Sequence, residues 1–329
     1  MNTAIYDISI LLIGLVVLIF GGDFLVKGAS KIALRFRVSS LFIGLTIVAF
    51  GTSAPELLVS LKGALSTASG THHDLTMGNI IGSNICNLAL VLGITAMFTP
   101  IKINPNTLKI DWPMAMGSSL LLYLLVSDSR SMLEQHEGGL FLLLLLAYIV
   151  FLFSRAKKDR SIAKAATSEV DELDETKVTY LNWAMDFALI IVGCLGLYFG
   201  AELFVDGAKG VFHDLGVSDR VIGIMVLAIG TSLPELVTSL VAAFQKNTDL
   251  AVGNLMGSNI FNVLSILGIT SIIQDIEVSN TIKEYDMLWM LGITLVVLPM
   301  MVINRRLGRI QGGILLAIYF YYNYTLFAW

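Results

Sequence analysis

Apolar stretches of about 17–25 residues, separated by short polar connections, recur along the chain, and a stretch of this length can cross a bilayer as a helix. Short segments of alternating polarity, which mark the strands of a membrane barrel, do not recur. The pattern predicts membrane helices near residues 5–26, 40–62, 78–98, 113–127, 138–154, 181–205, 219–243, 253–273, 286–303 and 310–327. The sequence therefore predicts an all-α integral membrane protein with ten transmembrane helices.

A short polar string interrupts the second predicted helix and returns in the seventh. Residues 49–56 read AFGTSAPE, and residues 228–235, displaced by 179 positions, read AIGTSLPE. Around them, residues 38–61 and 217–240 agree at 13 of 24 positions. A second string, DLTMGNIIGSNICN from residue 74, returns as DLAVGNLMGSNIFN from residue 249, with an offset of 175. Two repeats in the same order indicate that the chain is two versions of one half.

Five helices per half imply that the second half enters the membrane from the opposite face, so the repeats are inverted. We expect a first repeat at 1–154, a linker at 155–180 and a second repeat at 181–329. With both termini outside, 16 of the 21 Lys and Arg residues fall on the cytoplasmic side, together with the linker. A content of 56% hydrophobic and 14% charged residues also indicates a membrane protein, expected in the plasma or inner membrane.

The string Gly-Thr-Ser-x-Pro-Glu places helix breakers and oxygen donors inside an apolar helix. A broken membrane helix is tolerated where its freed carbonyls are buried in protein or line a polar cavity. A proline kink would explain the break but not Glu56 and Glu235, since a charge at the bilayer centre costs at least about 2.5–3.5 kcal/mol. Carboxylate, hydroxyl and carbonyl oxygens are the ligands that hard cations prefer. We therefore predict a midplane cation site, with helices 2, 3, 7 and 8 broken around it.

The second string combines close helix packing with polar side chains. Residues 78–82 and 253–257 have the GxxxG spacing that lets membrane helices approach closely. Asn87 follows Ser83 by four residues, so the two side chains share a helix face. The same spacing recurs in the second half. The side-chain oxygens are thus expected to complete the cation site.

Other polar side chains carry no function in this interpretation. Cys86 and Cys194 lie in apolar segments and are expected to be buried small side chains. Asp23 and Glu202 occupy matching positions near the ends of helices 1 and 6, where snorkelling or helix pairing would explain them. The four histidines fall in connections without metal-ligand spacing. No nucleophile–base arrangement or phosphate-binding loop indicates an enzyme.

The paired strings resemble the α-repeats of the cation/calcium exchanger superfamily, most closely its prokaryotic sodium/calcium exchanger branch, over essentially the whole chain. The resemblance implies a midplane cluster of ion sites that opens alternately to each side, with Glu56 and Glu235 as central ligands of calcium and sodium. The other implied ligands are hydroxyl and amide side chains and two backbone carbonyls: Thr52, Ser53, Ser83, Asn87, Thr231, Ser232, Ser258, Asn262, Ala49 and Ala228. Asn262 replaces an Asp of some relatives, which weakens the case for potassium cotransport.

These observations predict a secondary antiporter that exchanges sodium for calcium and exports calcium on the sodium gradient. Both ions need the same glutamates and compete for them, and helices 1 and 6 are expected to move. Two alternatives remain: a proton/calcium antiporter using the same glutamate pair, and a cation channel, which two inverted, differently sequenced halves favour less. The expected partners are calcium, sodium and the lipid bilayer, with no cofactor, no nucleic acid and no obligate protein partner.

Overall fold

The computed structural model describes residues 2–65, 71–128, 130–166, 180–215 and 230–328, and helices make up almost all of this part. In chain order the helices are α1 (Asn2–Phe36), α2 (Ser40–Thr52 and Ala54–Leu65), α3 (Thr71–Ile85, Cys86–Val91 and Leu92–Phe98), α4 (Thr107–Asp111 and Trp112–Val126), α5 (Gln135–Ala166), α6 (Tyr180–Asp214), α7 (Leu233–Phe244), α8 (Thr248–Phe261, Asn262–Leu267 and Gly268–Ile273), α9 (Ile282–Asp286 and Met287–Val302) and α10 (Arg309–Ala328). By length and composition, six helices of the described residues can span a membrane, or seven with the bent α2 counted as one span. The chain is a membrane protein whose described residues are all-helical, as predicted, apart from four two-residue strands.

α1 and α6 are longer than their apolar stretches. The apolar pattern predicts ends near residues 26 and 205, whereas α1 continues to Phe36 and α6 to Asp214. The charged end of α1 remains helical because it packs along the start of α6. There Arg35 donates to Asp186, which is 1% exposed, and lies 5.6 Å from the centre of the Trp183 ring. Packing against α6 therefore keeps this segment helical, although its charged residues led the sequence analysis to end the helix near residue 26.

Glycines bring α1 and α6 into backbone contact along their length. A Cβ added at Gly21 would lie 2.7 Å from the backbone nitrogen of Leu197, and one added at Gly200 would lie 2.7 Å from that of Leu18. The order of these contacts shows that the two helices run antiparallel. Small residues permit this approach, and the resulting van der Waals contact is what holds helices together in lipid.

α2 is bent by 45° between its two segments. The bend lies at Ser53, whose φ of −84° and ψ of 7° depart from helical values, and Pro55 follows at the start of the second segment. α7 begins after a matching turn, in which Ser232 has φ −88° and ψ 3°. The predicted breaks in helices 3 and 8 differ from the structure. Both helices continue through π-helical segments, Cys86–Val91 and Asn262–Leu267, because a π-helical turn accommodates an extra residue without ending the helix.

Four short strands, which the sequence did not predict, connect the two halves. β1 (Ile101–Lys102) pairs antiparallel with β4 (Arg306–Leu307), and β2 (Met132–Leu133) pairs antiparallel with β3 (Ile276–Glu277). β3 follows β1 by 175 residues, and β4 follows β2 by 174. Each strand therefore pairs with a strand of the other half. Replacing every strand by its repeat counterpart turns the β1–β4 pairing into the β3–β2 pairing. This is the pattern that a two-fold relationship between the halves produces.

α3 and α8 lie at the centre of the molecule. Every residue from Leu250 to Gly268 of α8 is buried. α1, α5 and α6 instead expose apolar side chains such as Phe20, Leu143 and Phe199, which are more than half exposed. Side chains of this kind suit a surface that faces lipid hydrocarbon. The polar strings of the sequence thus occupy the best-protected part of the fold.

Candidate cation site

Glu56 and Glu235 each lie in the first turn of a helical segment that begins at a Ser-x-Pro break. Both side chains are fully buried. The positive end of the helix dipole favours an anion there by about 0.3–1 kcal/mol at exposed sites. The cost of a charge at membrane depth is at least about 2.5–3.5 kcal/mol. The dipole therefore offsets only part of the cost, and these two carboxylates need a further partner.

The threonines that precede the two breaks each contact the central helix of the other half. Thr52 donates its Oγ1 to Asn254 Oδ1 at 3.1 Å and lies 3.4 Å from Ser258 Oγ on α8. Thr231 lies 3.2 Å from the hydroxyl of Ser83 on α3, the repeat counterpart of Ser258. The two halves therefore make the same contact in both directions.

Asparagines join α3 to α8 in a second matched pair of contacts. Asn262 donates its side-chain nitrogen to Asn84 Oδ1 at 3.0 Å, and its counterpart Asn87 donates to Asn259 Oδ1 at 3.5 Å. The amide nitrogens are thereby occupied, whereas the side-chain oxygens of Asn87 and Asn262 are left without a partner among the described residues. The contacts turn the donor of each amide towards the neighbouring helix and leave its acceptor available.

Several buried oxygens of this region have no hydrogen-bond partner among the described residues. They belong to two carboxylates, one hydroxyl and two amides: Glu56 Oε1 and Oε2, Glu235 Oε2, Ser232 Oγ, Asn87 Oδ1 and Asn262 Oδ1. Buried polar atoms are nearly always paired, and an unpaired buried carboxylate is especially unfavourable. A group of acceptor oxygens that includes two carboxylates is the donor set that hard cations such as calcium and sodium take.

The two glutamates differ in their surroundings. Glu235 Oε1 accepts hydrogen bonds from Ser53 and Ser258, both at 3.3 Å. Glu56 has no corresponding bond among the described residues, although Ser232 and Ser83 are the counterparts of those two donors. The two glutamates are therefore equivalent in the sequence repeat but differ in their hydrogen bonds.

The structure brings together ten of the predicted ligands on the facing parts of α2, α3, α7 and α8 and on the turn before α7: Thr52, Ser53, Glu56, Ser83, Asn87, Thr231, Ser232, Glu235, Ser258 and Asn262. The carbonyl of Ala49 already accepts bonds from Thr52 Oγ1 at 3.3 Å and from the Ser53 backbone at 3.0 Å. Ala228 lies outside the described residues. The role of all twelve as ion ligands stays a prediction.

The predicted ligand set leaves out four asparagines that the structure places in the same network: Asn79, Asn84, Asn254 and Asn259. Each belongs to the second string, and the two pairs are related by the same offset of 175 residues. That shared offset was the signal that could have identified them.

A crevice of about 430 Å³ lies between the second segment of α2 and α6. Lys62, Glu202 and Lys209 line its exposed part, while Pro55 and Thr231 line the part nearest the glutamates. The crevice thus extends from charged side chains at one end of the molecule to a threonine of the candidate site.

The opposite end of the α1–α6 pair is bridged to the α7–α8 connection by direct contacts. Gln245, just after α7, donates its side-chain nitrogen to Asp23 of α1 at 2.9 Å. Asn247 donates to the hydroxyl of Ser30 at 3.2 Å. Asp23 is the repeat counterpart of Glu202, which lines the crevice. Equivalent positions of the two halves therefore differ in their surroundings: Asp23 is bonded to Gln245, whereas Glu202 lines the crevice.

Comparisons with known proteins agree with this architecture. A family model described as sodium/calcium exchanger protein matches residues 6–154 and 185–328. The chain is 38% identical over 323 residues to the putative antiporter CaxA of Alkalimonas amylolytica, covering 96% of this chain and 97% of that one. It is 33% identical to the sodium/calcium exchanger MaX1 of Methanosarcina acetivorans, covering 97% of each chain. A solved structure of the sodium-calcium exchanger NCX_Mj, soaked with zero Na⁺ and Ca²⁺, superposes with a TM-score of 0.80 at 31% identity, covering 98% of this chain and 99% of that one. The chain therefore belongs to the sodium/calcium exchanger family of membrane antiporters.

Proposed function

We propose that this protein exchanges sodium for calcium by alternating access and exports calcium using the sodium gradient. The observation that carries the proposal is the pair of fully buried glutamates whose free oxygens lie among neutral hydroxyl and amide oxygens. Neither glutamate forms an ion pair with a Lys, Arg or His among the described residues. Together Glu56 and Glu235 carry two negative charges, which one calcium ion balances.

Competition for this pair gives exchange rather than cotransport. Sodium and calcium both take oxygen ligands, and both must neutralise the same two carboxylates. An empty site would hold two uncompensated charges in a region of low dielectric constant, which opposes a change of conformation. The protein would therefore switch sides only with ions bound, and each entry of sodium would be coupled to the exit of calcium.

The proposed architecture is ten transmembrane helices in two inverted repeats, 1–154 and 181–329, joined by a cytoplasmic linker at 155–180. Contacts between connections support it. The α3–α4 connection meets the α9–α10 connection through β1 and β4, and the α4–α5 connection meets the α8–α9 connection through β2 and β3. If every helix crosses the membrane, each of these pairs lies on one side, as the contacts require. The distribution of Lys and Arg then places the termini outside.

The difference between the two ends of the α1–α6 pair supports alternating access. The crevice opens beside Glu202, whereas its counterpart Asp23 is bonded to Gln245. In a protein with inverted repeats, the opposite state is obtained when the halves exchange conformations. That state would close the crevice beside Glu202 and open the end at Asp23. Because glycine contacts hold α1 and α6 together, we expect the two helices to move as one body.

One observation favours a second candidate, a proton/calcium antiporter. Neither side-chain oxygen of Glu56 has a hydrogen-bond partner among the described residues. A protonated carboxyl is less costly to bury than a carboxylate. Protons would then replace sodium at the same glutamate pair, and transport would depend steeply on pH and not on sodium.

Calcium uptake into proteoliposomes loaded with sodium, with and without an outward sodium gradient, tests the proposal. Glu56→Gln and Glu235→Gln remove the two charges and keep the size of the side chains. Asp214→Asn is the matched control, because Asp214 is exposed at the end of α6. We expect uptake that requires the gradient, persists in the control and is lost in both glutamine variants.

The other outcomes separate the alternatives. Uptake that does not depend on sodium but is driven by a pH gradient would identify protons, and not sodium, as the coupling ion. Absence of uptake under either gradient, from protein that unfolds at a normal temperature, would overturn calcium as the transported ion. Uptake that survives both glutamine variants would overturn the site.

A further inference from the structure

Four exposed cations gather at the β1–β4 strand pair, and we call them the basic ribbon. They lie on the two strands, just before β4 and at the start of α10: Lys102, Arg306, Arg305 and Arg309. Lys102 lies directly opposite Arg306 across the pair. Both side chains face outwards, because the other residue of each strand, Ile101 or Leu307, is fully buried. Like charges directly opposite each other destabilise a strand pair, so the basic ribbon favours a bound anion.

The protein supplies no such anion from the part of the chain that the structure describes. None of the four cations forms an ion pair with a carboxylate there. Asp249 contacts the segment after β1, but it accepts from Asn104 Nδ2 at 3.3 Å. Arg309 adds its charge at the start of α10, where the helix dipole favours anions and the first turn holds no acidic residue. The positive charge of the ribbon is therefore uncompensated, and the helix end beside it favours the same kind of ligand.

The repeat-related pair of β2 and β3 shows that the fold does not require these cations. The counterpart of Lys102 is Glu277. The counterpart of Arg306 is Met132. Arg130, two residues before β2, pairs with carboxylates of its own connection. The tendency of Lys and Arg to lie on the cytoplasmic side accounts for cations at one face of the membrane, but not for two of them placed directly opposite each other.

Exposed apolar side chains flank the basic ribbon. Val302 ends α9, Ile303 follows it and Ile310 lies in the first turn of α10, and each is more than half exposed. At the ends of membrane helices, cations beside apolar side chains lie where lipid headgroups meet the hydrocarbon. An acidic peptide would match the charges and leave these apolar side chains in water. A phospholipid matches both, because its phosphate is anionic and its chains are apolar.

We propose that the basic ribbon binds the phosphate of an anionic phospholipid, whose acyl chains lie against the flanking apolar side chains. The inference rests on the proposed architecture, which puts the ribbon at the cytoplasmic face, where anionic lipids attract clustered Lys and Arg. A guanidinium binds phosphate through two parallel hydrogen bonds, which suits Arg306 to this ligand. Lys102 belongs to the first half and Arg306 to the second. One phosphate between them joins the two halves and removes the repulsion across the strand pair.

Two measurements on the full-length protein test the lipid site. Native mass spectrometry during titration with phosphatidylglycerol gives the affinity for the lipid. Thermal unfolding with phosphatidylglycerol, phosphatidylcholine or inorganic phosphate gives the stabilisation by each. Wild type is compared with Lys102→Gln/Arg306→Gln, which removes both opposed charges, and with Lys102→Arg/Arg306→Lys, which keeps them. Lys27→Gln/Lys157→Gln is the matched control, because it removes two exposed cations of α1 and α5, outside the ribbon.

We expect phosphatidylglycerol alone to raise the unfolding temperature of wild type, of the charge-keeping variant and of the control. One Lys or Arg near an anionic lipid changes its affinity about fivefold, so the double glutamine variant should bind about 25-fold more weakly. Should that variant fail to fold, wild type still decides: phosphatidylglycerol with a photoreactive headgroup should crosslink within residues 101–106 or 303–310. Crosslinks confined to other segments, an equal loss of affinity in the control, or equal stabilisation by inorganic phosphate would overturn the inference.

The test distinguishes this inference from the proposed function, because it measures lipid binding and not transport. Unchanged lipid affinity in the double glutamine variant, with sodium-driven calcium uptake intact in wild type, would reject the lipid site alone. Selective binding of phosphatidylglycerol at the ribbon without sodium-driven uptake would keep the lipid site and reject the proposed coupling.

Discussion

Ser53 donates its hydroxyl to Glu235 across the boundary between the two halves, with 3.3 Å between Oγ and Oε1. Its repeat counterpart Ser232 makes no such bond to Glu56. Glu235 is thus positioned by hydroxyls from both halves, while Glu56 is buried without a donor among the described residues. Two nearly identical sequence strings therefore give two carboxylates that differ in their hydrogen bonding.

This difference predicts unequal effects of two serine-to-alanine changes. A hydrogen bond to a charged group contributes about 1.5–3 kcal/mol. Ser53→Ala removes such a bond from Glu235, so we expect a lower unfolding temperature in ion-free buffer. Ser232→Ala removes a hydroxyl that makes no hydrogen bond to either glutamate among the described residues, so the unfolding temperature should change little. Thermal unfolding of both variants checks this, and equal destabilisation would contradict it.

Asn262→Asp should change the stoichiometry of exchange. The substitution keeps an oxygen at a position where Oδ1 is free and adds a third negative charge to the site. One calcium ion then no longer balances the carboxylates, and more sodium ions should move for each calcium. The reversal potential of exchange in proteoliposomes measures this ratio. Asn304→Asp, which adds a charge at an exposed position, is the control, and an unchanged ratio in Asn262→Asp with calcium binding intact would refute the prediction.

A disulfide between α1 and α7 should lock the end of the molecule at which Gln245 is bonded to Asp23. A Cβ added at Gly22 would lie 3.0 Å from Val237 Cγ1, which is one bond from Val237 Cβ, so the two Cβ atoms are close enough for the separation of about 3.5–4.5 Å found in disulfides. In the double variant Gly22→Cys/Val237→Cys, we expect oxidation to stop exchange and a reductant to restore it. Calcium should still bind from the crevice side. The two single variants serve as controls, and full exchange by the oxidised double variant would contradict the proposed motion.

The backbone contact of α1 with α6 predicts a sharp cost for a single methyl group. A Cβ added at Gly193 would lie 2.5 Å from the backbone nitrogen of Leu25, where nothing can move aside easily. Overpacking typically costs about 1–3 kcal/mol, so Gly193→Ala should lower the unfolding temperature. Gly117→Ala is the matched control, because no atom lies within 4 Å of its added Cβ. Similar melting of the two variants would argue against close packing of α1 and α6.

The sequence identified Glu56 and Glu235 because a carboxylate beside helix breakers in an apolar stretch is costly and therefore informative. Repetition in the second half reinforced that signal. Asn79, Asn84, Asn254 and Asn259 were left out of the predicted site, since a polar residue within or beside a GxxxG stretch fits a packing role equally well. Their importance follows from contacts between the two halves, such as that of Asn262 with Asn84. A local sequence pattern does not encode a contact between residues so far apart.

Other features lay beyond sequence reasoning for physical reasons. Two-residue strands have no periodicity to detect, so the β1–β4 and β2–β3 pairings were not predicted. The helical end of α1 depends on the ion pair of Arg35 with Asp186, which is 151 residues away. The unequal surroundings of the two glutamates belong to one conformation of the protein. A repeated sequence is compatible with that conformation and with the one obtained when the two halves exchange conformations.

The contacts between halves also constrain how the protein is made. Thr52 leaves the ribosome 202 residues before its acceptor Asn254, and Asn84 leaves it 178 residues before Asn262. Until then, the nascent first half holds hydroxyl, amide and carboxylate groups at membrane depth without the partners they have in the mature fold, which lipid cannot replace. Packing of the first half is therefore incomplete until α8 of the second half has been translated. A truncated product ending in the linker would keep these polar groups without partners, and unpaired polar groups are a feature by which a cell recognises unassembled membrane proteins.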